Sequence, residues 1–285
     1  MDFATAPSPN PSSLASADRP YHTTTNPYPH DFNPNAGIMS LLPNLIKSDN
    51  RFDDEAASWD LNPFVRKSSQ QALATILSHY PQLQRYRDGQ ADSSEGLDLL
   101  EIGCGTGLLS FLIAPYAKHL TAVDTSHGMI TTLKQKLASA SHTGTTNIFP
   151  VCVDLKDPDD PALRQNPQDI VPKFDLVVSH LVLHHVPDLV GMLSTMHGCL
   201  KEGGSVCLTD YEDFGPEARK FHPESKMQGV ERHGIKRTWM EEQMRGAGFE
   251  GVMVEVGWVM EKDIEGGEVG RFPFLVCQGR RGSGS

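Results

Sequence analysis

Three glycines at alternate positions form the most chemically informative feature of the chain. Gly103, Gly105 and Gly107 directly follow an apolar run, 97–102, that contains the acid Glu101. Glycine has no Cβ, so such a loop can turn sharply and let a ligand approach the backbone closely. The pattern predicts a strand that turns into a helix around a small bound cofactor, with a tight structural turn as the alternative.

The glycine spacing discriminates between cofactors. A dinucleotide site requires G-x-G-x-x-G, but Leu108 stands three residues after Gly105, and Ser110 three after Gly107. A nicotinamide cofactor is therefore disfavoured. The acid Glu101 instead suits a cofactor that carries an ammonium group.

Two further acids follow the next predicted strands. Asp124 ends the second strand, where a carboxylate can accept hydrogen bonds from both hydroxyls of a ribose. Asp154 follows the third strand and is a candidate partner for the exocyclic amine of an adenine. The alternatives are that Asp124 caps a helix and that Asp154 forms a turn.

Histidines are the candidate acid–base groups, because imidazole titrates near neutral pH. His180, His184 and His185 follow the fourth predicted strand, and His184 is our first candidate for a catalytic base. The other candidates are Tyr211, for catalysis, and His185, His222 and His233, for substrate contact. The histidines show no ligand spacing with Cys or Asp, so the sequence predicts no metal.

The elements that must position these groups alternate between short apolar strands and amphipathic helices. This alternation predicts an α/β fold, a Rossmann-like, doubly wound and mostly parallel sheet with helices on both faces. The predicted strands are 97–102, 120–124, 148–153, 174–179, 205–210, 252–256 and 272–277. The predicted helices are 64–79, 107–117, 128–138, 189–200 and 237–247, and the last two strands read as an antiparallel hairpin at one sheet edge.

Two segments flank or interrupt this pattern. Residues 1–50 are rich in Pro, Ser, Thr and Asn towards their start, which predicts a largely disordered tail. Its more apolar segment at 38–46 is a candidate docking segment, with a plain packing segment as the alternative. Residues 51–281 form the predicted domain, which contains an insertion at 211–236.

Composition excludes several classes of partner. The formal net charge of -11 disfavours nucleic acid as a substrate. No stretch is apolar enough to span a membrane, and the start of the chain lacks the features of a secretory signal. The five cysteines are widely spaced, which predicts reduced thiols and a cytoplasmic location.

The ordered set of motifs resembles the class I S-adenosylmethionine-dependent methyltransferase superfamily. Within it, the chain is most similar to small-molecule methyltransferases related to the ubiquinone and menaquinone C-methyltransferases. The matching residues are the glycine loop, Asp124 with 126–129, Asp154, 174–175 with 183–186, 200–204, and 52–60 upstream. The quinone enzymes usually carry other residues where this chain has 183–186, which disfavours a quinone precursor as substrate.

The resemblance covers about residues 51–279 and implies a seven-stranded sheet with an antiparallel C-terminal edge strand. It also implies an acceptor pocket in the insertion at 211–236. It implies S-adenosylmethionine as cofactor and S-adenosylhomocysteine as product. The predicted cofactor-binding residues are Trp59, Glu101, Gly103, Gly105, Gly107, Asp124, Thr125, Met129, Asp154, Leu155 and Ser179.

The expected function is methylation of O, N or C of a small organic molecule, such as a secondary metabolite. A protein methyltransferase and a non-catalytic partner protein of the same fold are the alternatives. No motif specifies the acceptor or the number of subunits.

Overall fold

The computed structural model describes residues 50–90, 95–139 and 147–283. The predicted tail, with its possible docking segment at 38–46, lies outside these residues. The predicted domain of residues 51–281 and its insertion at 211–236 fall almost entirely within them.

A seven-stranded sheet forms the centre of the fold, with the strand order β3-β2-β1-β4-β5-β7-β6. Its strands are β1 Asp98–Ile102, β2 His119–Asp124, β3 Ile148–Cys152, β4 Phe174–His180, β5 Leu200–Tyr211, β6 Phe249–Asp263 and β7 Val269–Arg281. The neighbours from β3 through β5 are all parallel. The predicted doubly wound, mostly parallel α/β fold is confirmed.

Helices cover both faces of the sheet, as its apolar strands require. They are α1 Asn50–Trp59, α2 Pro63–His79, α3 Pro81–Arg87, α4 Leu108–Ile113, α5 His127–Ala138, α6 Leu189–Cys199 and α7 Arg237–Gly246. Buried residues of α6 and α7 belong to one core cluster, and those of α2, α3, α4 and α5 belong to a second one. The five predicted helices all form, with ends shifted by a few residues.

The placement of the last strand corrects one prediction. β7 is antiparallel, as expected, but it pairs with β5 on one side and with β6 on the other, so β6 is the edge strand. After β5 the chain forms α7 and then β6, which does not pair with β5. β7 then inserts between these two strands and pairs with both. Strands β6 and β7 are both longer than predicted because they pair almost to the tip of their hairpin. Their pairing runs from Phe249 opposite Arg281 to Asp263 opposite Val269.

A smaller aromatic cluster lies beside the hairpin. Tyr211 and Phe221 stack with ring centroids 3.9 Å apart, and both pack with Phe272 and Phe274 of β7. This cluster supports the insertion that follows β5. In the ranges that the structure describes, every helix is too short or too polar to cross a bilayer.

Candidate functional site

A cavity of about 420 Å³ lies where the parallel strands end. Strand ends on this side of an open α/β sheet are the usual place for a ligand. The lining residues come from α1, the glycine loop, the ends of β2, β3 and β4, and the insertion. Those predicted from the sequence are Trp59, Glu101, Gly103, Gly105, Asp124, Thr125, Met129, Asp154, Leu155, His180 and His185.

The glycine loop is shaped by its close neighbours. Gly103 and Gly105 have φ angles of +75° and +53°, in the left-handed region. A Cβ on Gly103 would lie 2.2 Å from Cγ2 of Val182, whereas a Cβ on Gly105 would meet nothing nearer than 3.9 Å. Gly103 therefore allows tight packing against the loop after β4, and Gly105 leaves open space at the cavity wall.

Gly107 has a different position from the one predicted. It lies outside the cavity lining and precedes α4 with a φ of +85°. A Cβ there would lie 2.5 Å from Cδ1 of Leu133 in α5. Its glycine identity is explained by this turn and by helix packing.

Asp124 connects the glycine loop to the second strand. Its Oδ2 accepts a hydrogen bond from the Gly105 amide at 2.7 Å, and its Oδ1 accepts one from the Ser126 amide at 2.8 Å. Burial raises the pKa of Asp124, and the hydrogen bonds from Ser126 and Gly105 oppose that rise. Each carboxylate oxygen has a second lone pair, so the group can still accept hydrogen bonds from a ligand.

Glu101 is almost completely buried at the end of β1, yet it reaches the cavity wall. Its Oε2 accepts a hydrogen bond from the Ser110 hydroxyl at 2.5 Å. Burial raises its pKa to about 8, with a further contribution from the nearby Asp124. A cationic group of a ligand would favour the ionised form of this carboxyl.

The third strand end contributes a polar and an apolar side chain. Asp154 is exposed and pairs with Lys156 across 2.5 Å, while Leu155 is buried. Met129 of α5 is also buried and faces the same cavity. This combination gives the cavity an apolar wall with a carboxylate at its rim.

Helix α1 forms a wall of the cavity through Phe52 and Trp59. Asp53 of this helix and Asp60, directly after it, bind the start of α5 and the glycine loop. Asp53 accepts hydrogen bonds from the Ser126 hydroxyl and the Gly128 amide at the start of α5, at 2.6 and 2.8 Å. Asp60 accepts one from Thr106 in the glycine loop, at 2.5 Å. These bonds fix α1 against the glycine loop.

His180 faces the cavity, but both of its ring nitrogens are engaged. Nε2 lies 2.9 Å from the Ser68 hydroxyl, and Nδ1 lies 2.8 Å from the Thr209 hydroxyl. Burial lowers its pKa to about 4, although Asp210 opposes that shift. The ring is thus neutral at neutral pH and bound to two hydroxyl groups.

The predicted base, His184, lies outside the cavity lining and is buried. Its Nδ1 lies 2.8 Å from Oδ1 of the buried Asp210, and its backbone amide donates to Oδ2 of the same carboxylate at 3.1 Å. Burial, and then the cations Arg51 and Arg232, lower the pKa of His184 to about 3. The prediction that His184 faces the substrate is corrected, because the backbone turn directs its ring towards β5.

Four other predicted site residues also lie outside the lining of the described cavity. Ser179 donates a hydrogen bond to the Ile102 carbonyl at 2.8 Å, and Tyr211 is buried within the aromatic cluster. His233 bonds to Arg219 across 2.9 Å, and His222 packs beside Tyr211. These side chains contact neighbouring protein groups and do not reach the cavity. The sequence pattern cannot predict such contacts.

Several lining residues were not predicted. They include Leu181, Val182, Gly229 and Glu231. Leu181 has a φ of +58° and is the only non-glycine residue with a positive φ in the described part of the chain. Such strain is typical of positions that tertiary contacts hold in place, and nothing in the local sequence signals it.

The comparison with protein families identifies the same region. A model described as a methyltransferase domain matches residues 100–206, which contain the glycine loop and the ends of β2, β3 and β4.

Curated relatives match over similar regions. A malonyl-[acyl-carrier protein] O-methyltransferase of Anoxybacillus flavithermus is 31% identical over 174 residues, 60% of this chain and 53% of the relative. A ubiquinone biosynthesis O-methyltransferase of Coxiella burnetii is 26% identical over 156 residues, 55% of this chain and 58% of the relative. The chain thus spans only about half the length of the curated relatives that it matches.

Solved structures share the fold. A SAM-dependent methyltransferase of Thermotoga maritima superposes with a TM-score of 0.52 at 15% identity, covering 81% of this chain and 99% of that one. The YcgJ protein of Bacillus subtilis gives a TM-score of 0.51 at 14% identity, covering 72% and 100%.

Proposed function

Because this chain belongs to the class I S-adenosylmethionine-dependent methyltransferase superfamily, we propose that it binds S-adenosylmethionine in the cavity and methylates a small organic molecule. One observation carries the proposal. Acidic residues from three successive strand ends, Glu101, Asp124 and Asp154, line one cavity together with the glycine loop.

The proposed roles follow the chemistry of the cofactor. Glu101 binds the ammonium group at the cavity wall. Asp124, held by the amides of Gly105 and Ser126, accepts hydrogen bonds from the ribose hydroxyls. Asp154 and the buried Leu155 bind the adenine, one through a hydrogen bond to its amine and one through apolar contact.

The protein's part in methyl transfer is chiefly alignment. The sulfonium of the cofactor supplies an activated methyl group, so the acceptor atom must be held in line and relieved of its proton. Phe52, Trp59 and Leu181 give the cavity an apolar wall that limits water near the reacting atoms. His185 and Glu231 supply polar groups on the side of the insertion, where we place the acceptor.

A small acceptor is supported by the size and the setting of the cavity. A volume of about 420 Å³ falls in the range of small-molecule sites and leaves limited room beside the cofactor. The acidic net charge of -11 opposes binding of nucleic acid.

Calorimetry with S-adenosylhomocysteine tests the cofactor part of the proposal. We expect saturable binding by the native chain and strongly weakened binding by Asp124→Ala. Lys118→Ala, an exposed position before β2, is the control and should bind normally. Absence of binding by the native chain would refute the proposal.

A labelled-methyl screen then tests the acceptor part. The chain is incubated with methyl-labelled cofactor and a metabolite extract, and a parallel sample receives extracted protein. Label in small products supports the proposal, whereas label confined to protein would replace it with protein methylation.

A further inference from the structure

Three histidines that are separated in the sequence meet beside the cavity. One ring nitrogen of each of His184, His185 and His222 lies within 4.8 Å of the other two. The ring centroid of His184 lies 3.9 Å from that of His185 and 5.1 Å from that of His222. The spacing in the sequence predicts no metal, because His222 joins the pair only when the insertion folds back over the turn after β4.

Hydrogen bonds determine which ring nitrogens are available. Nδ1 of His184 bonds to the Asp210 carboxylate at 2.8 Å, and Nδ1 of His185 bonds to the Gly229 carbonyl at 2.6 Å. A carbonyl can only accept, so His185 carries its proton on Nδ1 and a lone pair on Nε2. The Asp210 carboxylate favours the same tautomer in His184.

His184 has an unmet requirement that points to a ligand. Its Nε2 is buried and has no hydrogen-bond partner among the described residues. An unpartnered buried polar atom is costly and calls for an explanation, such as a bound ion. A histidine whose other nitrogen bonds to a carboxylate is also the usual arrangement of a metal-ligating histidine.

We propose that His184, His185 and His222 bind a divalent transition-metal ion of the Zn²⁺ type, with Asp210 and the Gly229 carbonyl orienting the first two rings. Zn²⁺ binds imidazole nitrogens at about 2.0–2.1 Å, which places them roughly 3.4 Å apart in a tetrahedron. The three nitrogens lie within 4.8 Å of one another, so the rings would have to move closer together when the ion binds.

The surroundings define the fourth ligand. Arg51, Arg232 and Lys262 place positive charge near His184, which opposes a bound cation unless an anionic ligand offsets it. Within the described part of the chain, the buried carboxylate of Asp210 contacts the ring. A metal ion in this setting favours an anionic group in its open position. His185 lines the cavity, so that position faces the proposed acceptor side.

This inference rests on the proposed methyl transfer and specifies its acceptor as an ionisable hydroxyl or thiol. The acceptor oxygen or sulfur binds the metal and releases its proton to water. Its lone pair then forms the bond to the methyl carbon as the bond from that carbon to the sulfonium sulfur breaks. The electron pair of the broken bond stays on sulfur, which leaves neutral S-adenosylhomocysteine.

Cobalt(II) provides a direct test, because tetrahedral cobalt absorbs strongly in the visible range. The full chain is treated with a chelator, dialysed and titrated with cobalt. We expect about one ion per chain, as for a single site, with an intense tetrahedral spectrum. Failure of the native chain to give that spectrum would overturn the proposal.

Matched histidine substitutions locate the ion. His222→Gln is the main variant because this side chain is only half-buried, and His185→Gln is the second. Both should lose the tetrahedral spectrum while retaining the circular dichroism of the native chain. His119→Gln, at an exposed position at the start of β2, should keep it. An unchanged spectrum in both His222→Gln and His185→Gln would reject the site.

Two further measurements separate the parts of the inference. Addition of 2-mercaptoethanol should shift the cobalt spectrum if a fourth position is open to a thiol, and an unchanged spectrum would overturn that assignment. Calorimetry with S-adenosylhomocysteine on the same samples reports the cofactor site independently. Cobalt binding without cofactor binding would refute the proposed methyl transfer and leave the metal site standing.

Discussion

Glu101 shows how burial can prepare a single residue for a charged ligand. Its carboxyl is almost completely buried and accepts one hydrogen bond, from Ser110. The folded pKa of about 8 lies above the ordinary value of 4.5, so the folded chain holds a proton that the unfolded chain releases. Stability from this group is therefore complete below pH 4.5 and is lost as the pH rises through about 8.

The first prediction concerns the pH dependence of cofactor binding. The ammonium of S-adenosylmethionine requires the ionised carboxylate, so affinity should rise as the pH approaches about 8. Glu101→Gln should remove this rise and weaken binding by about tenfold or more, the value of a charged hydrogen bond. Calorimetry at several pH values checks both effects.

The same substitution should stabilise the ligand-free chain above neutral pH. Glutamine cannot ionise, so Glu101→Gln avoids the cost of a buried charge, on the order of 1 kcal/mol or more. Chemical denaturation at alkaline pH measures this gain in the free energy of unfolding. A variant that is both less stable and unaltered in affinity would contradict the role given to Glu101.

Asp124 combines binding with support of the loop, which yields a second prediction. Asp124→Ala should leave the amides of Gly105 and Ser126 without their acceptors, at about 1–3 kcal/mol each where they stay buried. We expect weaker cofactor binding and a lower melting temperature together. Asp124→Asn keeps one acceptor oxygen, so its cofactor affinity and melting temperature should lie between those of Asp124→Ala and the native chain. Equal affinity in Asp124→Ala and the native chain would exclude ribose binding.

At the scale of elements, the site depends on how closely the glycine loop and the loop after β4 approach each other. A Cβ on Gly103 would collide with Val182, and Val182 lines the cavity. The cavity shape is thus set by a contact between two loops that each follow a different strand.

A pair of glycine substitutions isolates this contact as a third prediction. Gly103 and Gly89 have φ angles of +75° and +66°, but only Gly103 is crowded, since nothing lies within 4 Å of a Cβ on Gly89. Both alanine variants should lose about 1 kcal/mol from backbone strain. Gly103→Ala should lose further stability and most cofactor affinity, which denaturation and calorimetry measure. Equal losses in both variants would show that crowding at Gly103 is unimportant.

The sequence predicts elements well where the pattern is local. Each strand of the parallel part follows from a short apolar run, and Asp124 and Asp154 follow from their positions at strand ends. The order of β6 and β7 depends on pairing between distant segments, so only the hairpin could be predicted. The group of His184, His185 and His222 likewise depends on the insertion folding back, and Tyr211 enters an aromatic cluster that no spacing reveals.

At the scale of the whole molecule, cofactor binding should be visible as stability. A ligand that binds only the folded chain adds about 2.7 kcal/mol at a concentration 100 times its Kd. For a domain of this size, that corresponds to a rise in melting temperature of about 5–10 °C. Thermal unfolding with S-adenosylhomocysteine checks this fourth prediction. Adenosine at equal concentration is the control and should give a smaller rise because it lacks the ammonium group.

The position of β7 has a consequence for how the chain is made. β5 needs β7 as its neighbour, and residues 269–281 are synthesised after both β5 and β6. Until β7 has been made, one side of β5 and one side of β6 therefore present unpaired backbone groups to other chains. Such edges invite aggregation, so a ribosome that stalls before residue 269 would release a nascent chain that cannot close its own sheet.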